Sequence, residues 1–177
     1  MSDDPLGKIT EGKDIIGKIR NFLAEYVGYV DRENRRDGDK LLRETIEKRY
    51  DEQWGRISEL QKQFIETGKL ENVDELEAAA LKLRAFIDRV KGAAYGYAPF
   101  FDAVRIHSEE LDRIYQFDAA LLEGVENVAR AIDNVEASIE TEGLPAAIRN
   151  LVSISQEVID SYNRREEVIL ETSAQDE

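Results

Sequence analysis

Between Leu76 and Phe101 the chain repeats itself every seven residues. Leu76, Leu83, Val90 and Tyr97 form one series, and Ala80, Ile87, Ala94 and Phe101 form a second that interleaves with it. Two apolar series at this spacing make the a/d seam of a coiled-coil helix, and such a seam needs partner helices to cover it. The series ends in the small and aromatic stretch Gly92-Ala-Ala-Tyr-Gly96-Tyr-Ala-Pro99-Phe-Phe. Proline lacks a backbone donor and disfavours a helical residue before it, so the helix is expected to break near Ala98.

The other segments supply the partners. Leu42, Ile46, Tyr50, Trp54, Ile57, Leu60 (or Gln61) and Phe64 predict a helix over about 39–67. Gly68 suits a left-handed C-cap, and Asn72-Val-Asp-Glu75 reads as an N-cap with its capping-box glutamate, so a helical hairpin is expected there. Ser108-Glu-Glu opens a further helix to about 141, striped by Leu111, Ile114, Leu121, Val125, Val128, Ile132, Val135 and Ile139. Gly143 and Pro145 then mark a turn into a last helix to about 171, striped by Ile148, Leu151, Ile154, Val158, Tyr162 and Ile169. Phe86, Leu122 and Ile159 flank these stripes and either widen the core or form a dimer face.

Ahead of the bundle, residues 1–11 read as a flexible arm. From residue 12 to 30 a wide apolar face appears, made of Ile15, Ile16, Ile19, Phe22, Leu23, Tyr26, Val27 and Val30. Such a helix either packs on the bundle or lies on a membrane surface or in a partner's groove. Residues 31–40 carry eight charges and read as a solvated hinge or an exposed helical turn, with a break at Gly38 and Asp39 as N-cap. Residues 172–177 read as a disordered polar tail. No alternating strand pattern occurs, so the expected fold is all-α. It is an elongated antiparallel helical bundle of three to four long helices, spanning 39–171, with the N-terminal amphipathic helix in addition.

The net charge of −14 disfavours nucleic acid as a partner, because that binding rests on neutralising phosphates. Residues 1–49 hold 11 basic and 11 acidic side chains, so the entire acidic excess falls in residues 50–177. With no cysteine there are no disulfides and no thiolate sites. A cytoplasmic location is the expectation, membrane-associated where the N-terminal helix lies on a bilayer.

Chemistry has few places to reside. His107 is the only histidine, and no second imidazole or Glu-x-x-His pair exists to build a metal site with it. No phosphate-binding loop or nucleophile constellation appears, so neither a cofactor nor enzymatic activity is expected. Asp118 occupies a stripe position, where a carboxylate is costly unless paired. It is either a ligand contact or a structural group bonded to a tyrosine hydroxyl or to Arg84, Arg89 or Arg105. Tyr95, Tyr97, Phe100, Phe101 and Tyr115 form an aromatic corner near it. The corner either plugs the end of the bundle or, with Arg105 and Asp118, lines a small-molecule pocket. The function expected first is a non-enzymatic interaction or adaptor bundle, acting on a protein partner, on itself through helix faces, or on a membrane surface. A small-molecule-binding or sensor bundle is the alternative.

Overall fold

A computed structural model describes the backbone of residues 35–93 and 108–175, and the side chains of 42–93, 116–168 and 170–171. Four helices make up the described chain: α1 (Arg35–Glu66), α2 (Val73–Gly92), α3 (Ser108–Ser138) and α4 (Leu144–Gln175). At 1.5 Å per residue the 32 residues of α1 and of α4 extend about 48 Å each. The all-α bundle expected from the stripes is what forms, and no strand occurs among the described residues.

Where their side chains are described, the stripes face the core, with Trp54, Ile139 and Ile154 only partly buried. Leu42, Ile46, Tyr50, Ile57, Leu60 and Phe64 of α1 are buried, as are Leu76, Ala80, Leu83, Ile87 and Val90 of α2. Ala79 and Phe86 widen the α2 face beyond the a/d seam, because α2 is packed by both α1 and α4. Phe86 and Leu122 are fully buried and Ile159 packs against the core, so these flanking residues widen the core. In α4 Ile154 packs partly buried against the core, and the neighbouring Ser155 is fully buried, its hydroxyl donating to the Leu151 carbonyl at 2.8 Å. A buried hydroxyl needs such a partner.

Local signals place the helix ends, with several corrections. Gly68 adopts φ +75°, and the Lys69 and Gly68 amides bond back to the Phe64 and Ile65 carbonyls, closing α1 as a Schellman motif. Asn72, expected to cap α2 through its side chain, makes no such bond. A 3-10 turn over Leu70–Asn72 already holds it in helical conformation and feeds directly into α2. Helix α1 passes through Gly38 and starts at Arg35, so the expected break is not made. One glycine costs a helix only about 1 kcal/mol. Gly143 acts as the N-cap of α4, accepting the Ala147 amide at 3.0 Å, rather than as a left-handed terminator of α3. Finally, α4 continues to Gln175, into the sequence read as a polar tail.

Helices α1 and α2 form one antiparallel hairpin, and α3 and α4 form another. Across α1 and α2 the paired residues draw closer in sequence toward the turn, from Glu47 with Lys91 to Gln61 with Glu77. The two hairpins then lie side by side, α1 along α3 and α2 along α4. These contacts are parallel. Bonded partners are 71 to 80 residues apart along α1 and α3 and 74 to 77 apart along α2 and α4. Both hairpin turns therefore sit at one end, where Lys69 meets Glu140 at 3.4 Å. The other end, called the open end below, holds the start of α1, the end of α2 and the start of α3.

One contact ties the hairpins together inside the core. The Tyr50 hydroxyl donates to the Leu121 carbonyl at 2.7 Å, and a Cβ on Gly124 would run into that hydroxyl. Glycine at 124 thus lets a tyrosine of α1 reach the backbone of α3. Burial raises the Tyr50 phenol far above its ordinary value of 10.0. The unfolded chain releases this proton near pH 10 while the folded one retains it. The contribution is therefore intact below pH 10 and is lost as pH rises above it. Stability is expected to fall by about 1.4 kcal/mol per pH unit from this group. Urea unfolding at pH 9, 10 and 11 checks it: Tyr50→Phe should lack this part of the alkaline slope.

Candidate functional site

The polar group that the sequence places inside the α3 stripe is inside the protein. Asp118 is fully buried, and the Arg165 guanidinium of α4, 3% exposed, donates from Nε to its Oδ1 at 2.5 Å. An isolated charge at such a position would cost several kcal/mol. With a charge-assisted bond the pair is tolerable, and it admits one axial register of α3 on α4. Asp118 is thus paired with Arg165, which was not among the arginines expected. Of the arginines expected, Arg84 turns to Asp51 and Asp88, each at 3.4 Å, and lies 5.1 Å from the Trp54 ring centre. Arg89 bonds Asn163 at 2.7 Å and Glu166, and stands 5.0 Å over the Tyr162 ring. Both are held on the rim by closer partners, and Arg105 lies outside the described residues.

Arg165 escaped the sequence reading because arginine is ordinarily a surface residue. A signal was present nonetheless. The α4 stripe advances by fours and threes through Val158 and Tyr162 to Ile169, and the position missing from it is 165.

Three aromatic rings of the described core form a run across three helices. Tyr50 of α1 meets Phe86 of α2 edge-on at 4.8 Å, and Phe86 meets Tyr162 of α4 at 5.5 Å and 85°. Edge-to-face contacts of this kind add to burial and fix side-chain orientation. Tyr95, Tyr97, Phe100, Phe101 and Arg105, proposed from sequence as pocket residues, lie outside the described residues. The backbone of Tyr115 belongs to α3, but its side chain is outside them as well. The apolar face of Ile15, Ile16, Ile19, Phe22, Leu23, Tyr26, Val27 and Val30 also lies outside them.

Two grooves follow the α1/α3 seam. One, of about 600 Å³, is lined by Glu44, Thr45, Lys48, Arg49, Glu52 and Gln53 of α1 with Val125 and Glu126 of α3. The second, of about 380 Å³ and nearer the turns, includes Arg56, Leu60, Glu136 and Ile139. Both are open, and both mix polar and apolar surface. Arg56 bridges the seam to Asp133 at 2.6 Å and Glu136 at 3.1 Å. Partial burial lowers its pKa, but these bonds and charges outweigh that and hold it above the ordinary arginine value. Among the described residues no group of three or more acidic or histidine side chains is placed to hold a metal ion, and no helix is long and apolar enough to cross a membrane.

Comparison of the chain with protein-family models, with curated proteins and with solved structures finds no match.

Removing one member of the ion pair leaves the other charge buried. Asp118→Asn and Arg165→Met are each expected to cost about 3–5 kcal/mol in urea unfolding, while Asp118→Leu with Arg165→Met is expected to cost less than either. A double variant as unstable as the sum of the singles would mean that the pair does not act as a unit.

Proposed function

We propose that this chain is a non-enzymatic interaction module: a helical bundle whose contact element is the amphipathic stretch 12–30. Support comes from how the apolar stripes are used. The described part of the coiled-coil seam of α2 is covered by α1 and α4, and the stripes of α1 and α3 close on the same core. Helix faces that offered themselves as partner surfaces in the sequence are therefore occupied within the bundle. Asp118, on which the ligand-binding reading leaned, is paired with Arg165. The stretch 12–30 is a further amphipathic stripe in the sequence, outside the described residues, and it precedes Arg35, where α1 starts at the open end. A helix of this kind engages either a groove of another protein or the surface of a bilayer.

A full-length Ile19→Asp/Leu23→Asp variant tests the proposal against the native chain. Three readouts are compared: co-sedimentation with phosphatidylcholine vesicles, self-association by sedimentation velocity, and recovery of cross-linked partners from the native host. At least one interaction of the native chain is expected to weaken tenfold or more in the variant. Identical behaviour in all three would contradict the proposal.

A further inference from the structure

The large apolar side chains left in water are unevenly placed. Among the described residues they are Ile65, Leu70, Leu81 and Leu170, 56–68% exposed. Leu170 lies near the end of α4, whereas the other three fall within residues 65–81, the end of α1, the turn and the start of α2. Two of these share a face. On α1, Trp54, Gln61 and Ile65 follow at intervals of seven and four, and on α2, Glu77, Leu81 and Arg84 follow at four and three, so each set lies along one side of its helix. Those sides meet: the Gln61 amide donates to the Glu77 carboxylate at 2.6 Å, and the Arg84 guanidinium lies 5.1 Å from the Trp54 ring centre. Ile65 and Leu81 therefore stand on the outer α1/α2 seam, one helical turn on either side of the Gln61–Glu77 bond. Ala78 and Ala85, a turn before and after Leu81, are short, so another backbone can come close to it.

We infer that this seam takes the apolar face of a basic amphipathic helix supplied by another protein. Charge decides the kind of partner. Residues 57–81 carry six exposed acids, Glu59, Glu66, Glu71, Asp74, Glu75 and Glu77, against two lysines. Both lysines are already engaged, Lys62 with Glu59 and Lys69 with Glu140, each at 3.4 Å. A second copy of this chain would set the acidic rim against itself, which costs free energy, whereas a helix flanked by lysine and arginine is attracted to it. Spacing decides the shape. Ile65 and Leu81 are offset by about 12 Å along the bundle, the rise of about eight helical residues. A helix laid along the seam meets both of them with apolar residues two turns apart on one face. Exposed apolar side chains scattered singly carry no such meaning, but two on one seam within a rim of one sign mark a contact surface. This surface belongs to the bundle itself and goes beyond the contact element at 12–30.

Trp54 is the only tryptophan and lies on this seam, so its emission follows binding there in the full-length chain. The probe is a synthetic amphipathic helix of leucine and lysine, compared with the same peptide carrying glutamate in place of lysine. Saturable binding of the lysine peptide is expected, with none of the glutamate peptide. Ile65→Ser/Leu81→Ser should bind the lysine peptide at least tenfold more weakly, and Leu170→Ser should bind it like the native chain; all three positions are exposed, so these variants keep the fold. Equal binding by the native chain and Ile65→Ser/Leu81→Ser would mean that acidity alone holds the peptide, and would overturn the inference, as would no binding at all. Loss of the peptide in the Ile19→Asp/Leu23→Asp chain would place the binding on the stretch 12–30 and overturn it too. Self-association of the native chain in sedimentation velocity, abolished by Ile65→Ser/Leu81→Ser, would make the occupant a second copy and overturn the choice of a basic partner.

Discussion

The arrangement depends on a tyrosine of one hairpin reaching the backbone of the other. Most contacts in a helical bundle are apolar and tolerate sliding; a hydrogen bond from Tyr50 to the Leu121 carbonyl does not. It needs Gly124 beside it, because any larger residue would occupy the space of the hydroxyl. Since Tyr50 and Leu121 lie at matching heights on parallel helices, this bond also sets which ends of the two hairpins lie together. The rim pairs agree with it, Arg56 on the α1/α3 side and Arg89 on the α2/α4 side, and Lys69 with Glu140 closes the turn end. Exposed pairs of this sort add little stability, but they all favour the same alignment.

The two ends of the bundle are consequently unlike. Toward the turns the interior is mostly apolar, with Ile57, Leu60, Phe64, Val128, Ile132 and Ile148, and its buried polar groups, Ser155 and Asn72, are uncharged. Toward the open end the interior contains Asp118 and Arg165. A buried ion pair contributes less stability than good apolar packing would, and its best-attested role is to specify register. Here it specifies the register of α3 on α4 near the point where the 94–107 connection enters α3. The open end is thus the half of the bundle where the sequence invests in specificity, and it is also where α1 starts, which the proposed contact element precedes in sequence.

Much of the fold was legible because it rests on local physics. Stripes at intervals of three and four predict helices, and Gly68 marks a turn for which its positive φ is the physical reason. Asp118 stood out as a carboxylate among apolar neighbours. What was not legible depends on neighbours distant in sequence. Gly124 looks like a helix weakness until Tyr50 is placed against it, and Arg165 looks like a surface residue until Asp118 faces it. The parallel stacking of the hairpins could not be read from short turns, which determine only the direction of successive helices. At Asn72 a correct sequence signal was superseded, since the preceding 3-10 turn had already taken up the helical backbone.

The parallel placement of the hairpins is the claim on which the open end and the proposed contact element both depend. A single distance tests it. With spin labels at Thr67→Cys and Thr141→Cys, one in each turn of an otherwise cysteine-free chain, pulsed electron resonance reads the separation of the turns directly. Turns at the same end should give about 20 Å, allowing for the labels, whereas hairpins packed head to tail would separate them by about 48 Å, a full helix length. The short distance is the expected result; the long one would contradict the account.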